Sequence, residues 1–223
     1  MLKNNRVFPL CMNKIISICM AIAIICLLSG IFLYPYLPQK IPTHWNIHDE
    51  IDGWSSKAFG IILFPGFMLI MIFLFWYLPK IDPMKKNIQK FQKYYDWFCL
   101  AIVLFFAYLF ILTMFASFGT QIKMSAMMVP ALAVIFLLSA VLMRHSKRNW
   151  FIGIRTPWTM SDDRVWEKTN KMGSWLFAVL GILFLIAVLL PVLIMLFIIG
   201  LAILFVIFLF FYSYWIFRKI RKR

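Results

Sequence analysis

The stretch from Gly173 to Phe217, GSWLFAVLGILFLIAVLLPVLIMLFIIGLAILFVIFLFFYSYWIF, runs for 45 residues without Asp, Glu, Lys, Arg or His. As one α-helix it would be about 67 Å long at ~1.5 Å per residue. A bilayer's hydrocarbon core is only ~30 Å thick and needs ~20 residues to cross. The stretch must therefore cross twice. Pro191 supplies the break, because it has no N–H to donate and clashes with the preceding turn. The predicted spans are Gly173–Leu190 and Val192–Phe217, joined by a tight turn. Working back along the chain, charged boundaries mark Met124–Met143, Trp97–Phe118 and Ala58–Leu78, and Ile15–Tyr34 comes first. In lipid every backbone polar group needs an internal partner, so a span is a helix or part of a closed barrel. The runs are continuous rather than alternating, which excludes the barrel. The expected fold is an all-α membrane protein of six transmembrane helices, with Pro65 and Pro130 bending two of them.

Composition agrees. The 223 residues are 64% hydrophobic and only 14% charged, with a mean hydropathy of +0.88. That excludes a soluble domain and a disordered chain. The net charge of +15 needs a separate explanation. Twenty of the 23 Lys and Arg fall in the N-terminus, the loops after the second and fourth spans, and the C-terminal tail. Only Lys40, Lys57 and Lys123 fall on the other side. The positive-inside bias then puts both termini in the cytoplasm, which requires an even number of spans, as six satisfies. Direct nucleic-acid binding is excluded, because the basic residues lie in four short segments divided by the bilayer. The first run, at about 20 residues and with no small-residue cleavage site, is expected to stay uncleaved. The chain divides into an N-terminal membrane half, 1–96, and a C-terminal half, 97–223.

No ionisable side chain falls inside the six spans as drawn. Intramembrane charges usually mark proton relays and ion pathways, so a proton-coupled pump is disfavoured. The hydroxyls of Ser29, Thr113, Ser117, Ser125 and Ser139 are expected to bond between helices. Cys11, Cys19, Cys26 and Cys99 show no disulfide or zinc spacing and read as small apolar fillers. Trp and Tyr collect near span ends as an aromatic belt. Nothing calls for a cofactor or for enzymatic chemistry.

Two loops remain. The outer one, Pro35–Lys57, contains Thr43-His44-Trp45-Asn46-Ile47-His48-Asp49-Glu50-Ile51-Asp52-Gly53-Trp54. Asp52-Gly53 is a turn signal and suggests a short hairpin. His44, His48 and the three acids are metal-ligand types, but H-E-x-x-H is absent and the loop is not helical. A folded recognition surface is the stronger reading. Trp45 and Trp54 beside acids suit a cationic amphipathic peptide, through contact area and cation–π attraction. The inner loop, Arg144–Met172, contains Ser161-Asp162-Asp163, which predicts a helix start at Ser161. That helix places Val165, Trp166, Thr169 and Met172 on one face and runs into span five. Arg155 and Pro157-Trp158 before it read as a rigid packed turn. This loop is either a structural clamp between spans four and five or a dock for a cytoplasmic partner or anionic membrane lipid.

The stretches GIRTPWT (Gly153–Thr159) and SDDRVWEKTN (Ser161–Asn170) resemble the signature of the SdpI-type immunity protein family. IPTHWNIHDEIDGWSSK (Ile41–Lys57) and LPKIDPMKKNI (Leu78–Ile88) resemble the domain of unknown function that commonly precedes it. In that upstream pattern Gly often stands where this chain has Asp49. The resemblance implies a bacterial plasma-membrane protein that protects its producer from a secreted, membrane-active peptide toxin. It also implies a second role, a receptor that holds a cytoplasmic transcription repressor at the membrane. The candidate toxin-recognition residues are His44, Trp45, Asp52, Gly53 and Trp54. The candidate partner-docking residues are Gly153, Arg155, Thr156, Pro157, Trp158 and Trp166.

Overall fold

The structure is a computed structural model and describes residues 14–188 and 192–222. The elements in order are α1 (Lys14–Leu33), a 3-10 turn (Tyr34–Tyr36), β1 (Lys40–Trp45), β2 (Ile51–Ser56), α2 (Lys57–Ile81), α3 (Lys85–Gln89), α4 (Gln92–Ser117), α5 (Met124–His145), α6 (Pro157–Ser161), α7 (Asp163–Ala187) and α8 (Val192–Arg221). Among the described residues, six helices are long and apolar enough to cross a membrane. These are α1, α2, α4, α5, α7 and α8, as the hydropathy pattern requires. Helices α2 and α5 run continuously through Pro65 and Pro130. Pro191 and the turn predicted around it lie outside the described residues, as does Cys11.

Helices α1, α2 and α4 pack on one another, α7 packs on α5 and α8, and α4 also meets α5. The first group shares a core of Ile16, Cys19, Ala23, Cys26, Ile61, Met68, Val103 and Phe110. Cys19 and Cys26 thus fill space on one helix face, as small hydrophobes do. The second core holds Val129, Ala133, Leu180, Phe184 and Ile198. Lipid tails are as apolar as Leu, so helices in lipid associate through close fit rather than hydrophobic exclusion. Gly181 shows this at the α5–α7 crossing. A Cβ there would sit 2.8 Å from Leu137 Cγ and 3.1 Å from the Ala133 carbonyl.

The span hydroxyls correct one expectation. Ser29, Ser117 and Ser139 each donate to the carbonyl four residues earlier in their own helix, not to a neighbour. In a medium without water this is the nearest acceptor available to a helical hydroxyl. Ser125 differs, because it bonds to the outer loop.

Candidate functional site

The two loops sit at opposite ends of the bundle. At one end β1 and β2 form an antiparallel hairpin that pairs Lys40 with Ser56, Pro42 with Trp54, His44 with Gly53 and Trp45 with Ile51, with two irregularities near His44. The turn is not at Asp52-Gly53, which lie within β2; it spans Asn46–Glu50. The Asn46 carboxamide oxygen accepts from His48 N–H at 2.8 Å and Glu50 N–H at 3.1 Å. An Asn side chain that captures its own downstream backbone sets such a turn without Gly. Asp49 then takes the left-handed conformation, with φ of 62°. Asp tolerates this region better than most residues.

Asp49 adds something Gly cannot. Its carboxylate accepts from Ser125 N–H at 2.7 Å and Ser125 Oγ–H at 2.6 Å, across 76 residues of sequence. Ser125 lies in the first turn of α5, whose N-cap Lys123 makes no side-chain cap. A carboxylate there satisfies an orphan N–H and meets the positive end of the helix dipole. The hairpin is thereby pinned to α5.

Gly53 is needed for space rather than for a turn. A Cβ there would lie 2.6 Å from His44 Cβ on the facing strand. His44 Nδ1 and Asp52 Oδ1 are 2.5 Å apart, both side chains exposed. An exposed pair of this kind contributes little stability and leaves both groups available to a ligand. Trp54 is 53% exposed. It lines, with Trp45, Asp49 and Lys123, a cavity of about 680 Å³ between the hairpin and the α4–α5 connection. Among the described residues no three His, Cys, Asp or Glu side chains gather as a metal site would need.

The other end is built differently. Gly153 has φ of 105°, and a Cβ on it would sit 2.5 Å from Asn170 Oδ1. That same oxygen accepts from Ile154 N–H at 2.9 Å. Thr156 caps α6 in a reciprocal box with Thr159, and Pro157 takes the first helical position, where a missing N–H is harmless. The Thr156 hydroxyl also reaches Ser213 Oγ of α8 at 2.9 Å. Trp158 packs against Phe210 and Tyr214, with ring centroids 5.0 Å away in each case. Trp166 is buried and donates its indole N–H to the Ser146 carbonyl at 3.2 Å.

Residues 145–213 match the family model for the SdpI/YfhL protein family. Residues 21–69 match that for a domain of unknown function, DUF1648. The chain is 30% identical to the immunity protein SdpI of Bacillus subtilis (strain 168) over 171 residues, which are 76% of this chain and 79% of that protein. This chain belongs to the SdpI family. It is a multi-pass membrane protein of that family. No solved structure matches it.

In this SdpI-family chain the signature loop is mostly internal. Of Gly153, Arg155, Thr156, Pro157, Trp158 and Trp166, only Arg155 and Pro157 are exposed. The predicted helix start at Ser161 is corrected by one residue. Ser161 ends α6 and donates to the Trp158 carbonyl, while Asp162 caps α7 by accepting from Arg164 N–H at 2.7 Å. The Asp162 carboxyl is held below its ordinary value, chiefly by hydrogen bonds from the Arg164 side chain. Val165, Trp166 and Thr169 form the buried face of α7, with Met172 half-buried, and α7 runs unbroken into span five.

Sequence reading missed three residues that hold this loop. Asn149 is fully buried; its oxygen accepts from Phe151 and Ile152 N–H, and its amide donates to the Lys147 and Ile152 carbonyls. Asp82, 2% exposed, accepts from Trp150 N–H at 2.8 Å. Asn87 donates to the Arg148 carbonyl at 2.8 Å. Asp82 and Asn87 lie in the quoted LPKIDPMKKNI stretch, so a signal existed, but its partner did not show.

Proposed function

We propose that this protein is a plasma-membrane immunity protein that protects its cell from a secreted, cationic, membrane-active peptide. The family and its immunity-protein relative support the class of function. The positive-charge bias supports placing the signature-loop end and both termini in the cytoplasm, which turns the hairpin outward.

The observation that carries the site assignment is the pinned hairpin. It offers exposed Trp54 and half-buried Trp45 on the wall of a cavity, with the exposed His44–Asp52 pair on the same hairpin. Aromatic rings give contact area to an amphipathic peptide and attract its cations, while Asp52 gives it a counter-charge. A rigid platform binds with less ordering cost than a mobile loop. No step of bond chemistry is needed for such capture.

The test is survival of a toxin-sensitive host that expresses the protein. Wild type is expected to protect, and Trp54→Ala with Asp52→Ala to lose protection at equal membrane levels. Undiminished protection by the double variant would overturn the hairpin assignment. Failure of the wild type against membrane-active peptides would overturn the immunity reading itself.

A further inference from the structure

A second cavity, of about 550 Å³, lies at the signature-loop end. Its walls include Phe75 and Leu78 of α2, Phe98 of α4, Leu142 of α5, and Val206 and Phe210 of α8. Its floor is the signature loop itself, from Phe151 to Thr156. Val206 and Phe210 are one turn apart on α8, and Val206 is 64% exposed. The cavity thus has a wall on a lipid-facing helix.

The polar groups that line it are already engaged. Ser139 Oγ–H is given to its own helix, the Tyr95 hydroxyl to the Phe75 carbonyl, and the Thr156 hydroxyl to the cap and Ser213. The exception is Arg155. It donates one guanidinium N–H to the Trp150 carbonyl and, among the described residues, pairs with no carboxylate. It is exposed and is the one cation on the lining.

An apolar cavity in a bilayer is a poor place for water, which needs two to four polar partners. An acyl chain needs none. A guanidinium at the rim matches a phosphate in charge and in fork geometry. Basic pockets between transmembrane helices on the cytoplasmic side are where anionic head groups bind. The volume also lies within the ~300–1,000 Å³ typical of ligand sites. We propose that this cleft holds one acyl chain of an anionic phospholipid, with the lipid phosphate on Arg155. The occupant stands at the opposite end from the hairpin, so this site is independent of how the toxin is met. It places a lipid against α2, α8 and the signature loop together.

The test uses the full-length protein purified in mild detergent, supplied with phosphatidylglycerol or phosphatidylcholine, and read by native mass spectrometry. One phosphatidylglycerol per chain is expected to stay bound under conditions that strip phosphatidylcholine. Arg155→Gln, which removes the charge and keeps a polar side chain, is expected to lower retention about tenfold, the scale of one lost charge-assisted bond. Val206→Trp, a change on an exposed position, is expected to displace the lipid by filling the cleft. Lys168→Gln removes the same charge from outside the cleft and should leave retention unchanged. Equal retention of the two lipids, or wild-type retention in both Arg155→Gln and Val206→Trp, would overturn the proposal. So would competition by inorganic phosphate or glycerol phosphate at concentrations comparable to the lipid, because the acyl chain would then contribute nothing.

Discussion

The hairpin and the signature loop are both short, polar connections between spans, yet they are held in opposite ways. The signature loop is fastened by many buried groups, its own and those of α7, α8 and the α2–α3 region. Asn149, Thr156, Thr159, Trp166 and Asn170 are buried and hydrogen-bonded, and their partners lie on α6, α7, α8 or in the loop itself. The hairpin is held by Ile41, buried in the core of α1, α2 and α4, by the Ser56 cap on α2 and by the Asp49–Ser125 pair, and it keeps Trp54, His44 and Asp52 in the open. Strong sequence signatures can therefore mark architecture rather than recognition. A buried polar network tolerates few substitutions, because each lost partner leaves a desolvated group behind.

That contrast predicts a ranking. Gly153→Ala should be the most damaging, at about 2–4 kcal/mol, since it adds left-handed strain and forces Asn170 off the Ile154 N–H. Thermal unfolding in detergent checks it, and a wild-type midpoint would break the idea of a closed inner network. Thr156→Val should cost about 1–2 kcal/mol, through the lost cap and the lost Ser213 bond. A double-mutant cycle with Ser213→Ala should show non-additivity, which isolates the contact between the loop and α8.

At the hairpin the effects should be smaller and should separate conformation from contact. Asp49→Gly keeps the left-handed turn and loses only the bonds to Ser125, at about 1 kcal/mol. Asp49→Ala loses both and should fall further, by about another 1 kcal/mol. Hydrogen exchange of the Ser125 amide would rise in each variant. Equal stability of the two would mean that the turn carries no strain.

Asp162→Asn should change stability at neutral pH by about 0.5 kcal/mol or less, because Asn also caps helices and the Arg164 pair is near the surface. Its pH signature is sharper. A carboxyl with a lowered folded-state pKa contributes stability above its unfolded value and loses it as pH falls through the folded one. Wild type should therefore show an added acid-side loss below the ordinary carboxylate range that the Asn variant lacks. Trp54→Ala should barely move the unfolding midpoint while removing protection, the reverse of Gly153→Ala.

The sequence alone determined the six spans, because hydropathy and the absence of charge are local properties and the bilayer fixes the length they must have. It also placed the amphipathic α7 and its junction with span five, since Val165, Trp166 and Thr169 recur at helical spacing. It misplaced the hairpin turn, because Asp52-Gly53 has turn composition while Gly53 is small for another reason, the His44 side chain across the strand. It could not show that Asp49 caps α5, that Asp82 holds Trp150, or that Thr156 meets Ser213. Each of those bonds joins segments more than 50 residues apart. A hydrogen bond exists only within about 3 Å of its partner, and that distance is set by how the helices pack rather than by either segment's composition. Tertiary structure therefore decided which polar residues fasten the molecule and which remain free to meet something else.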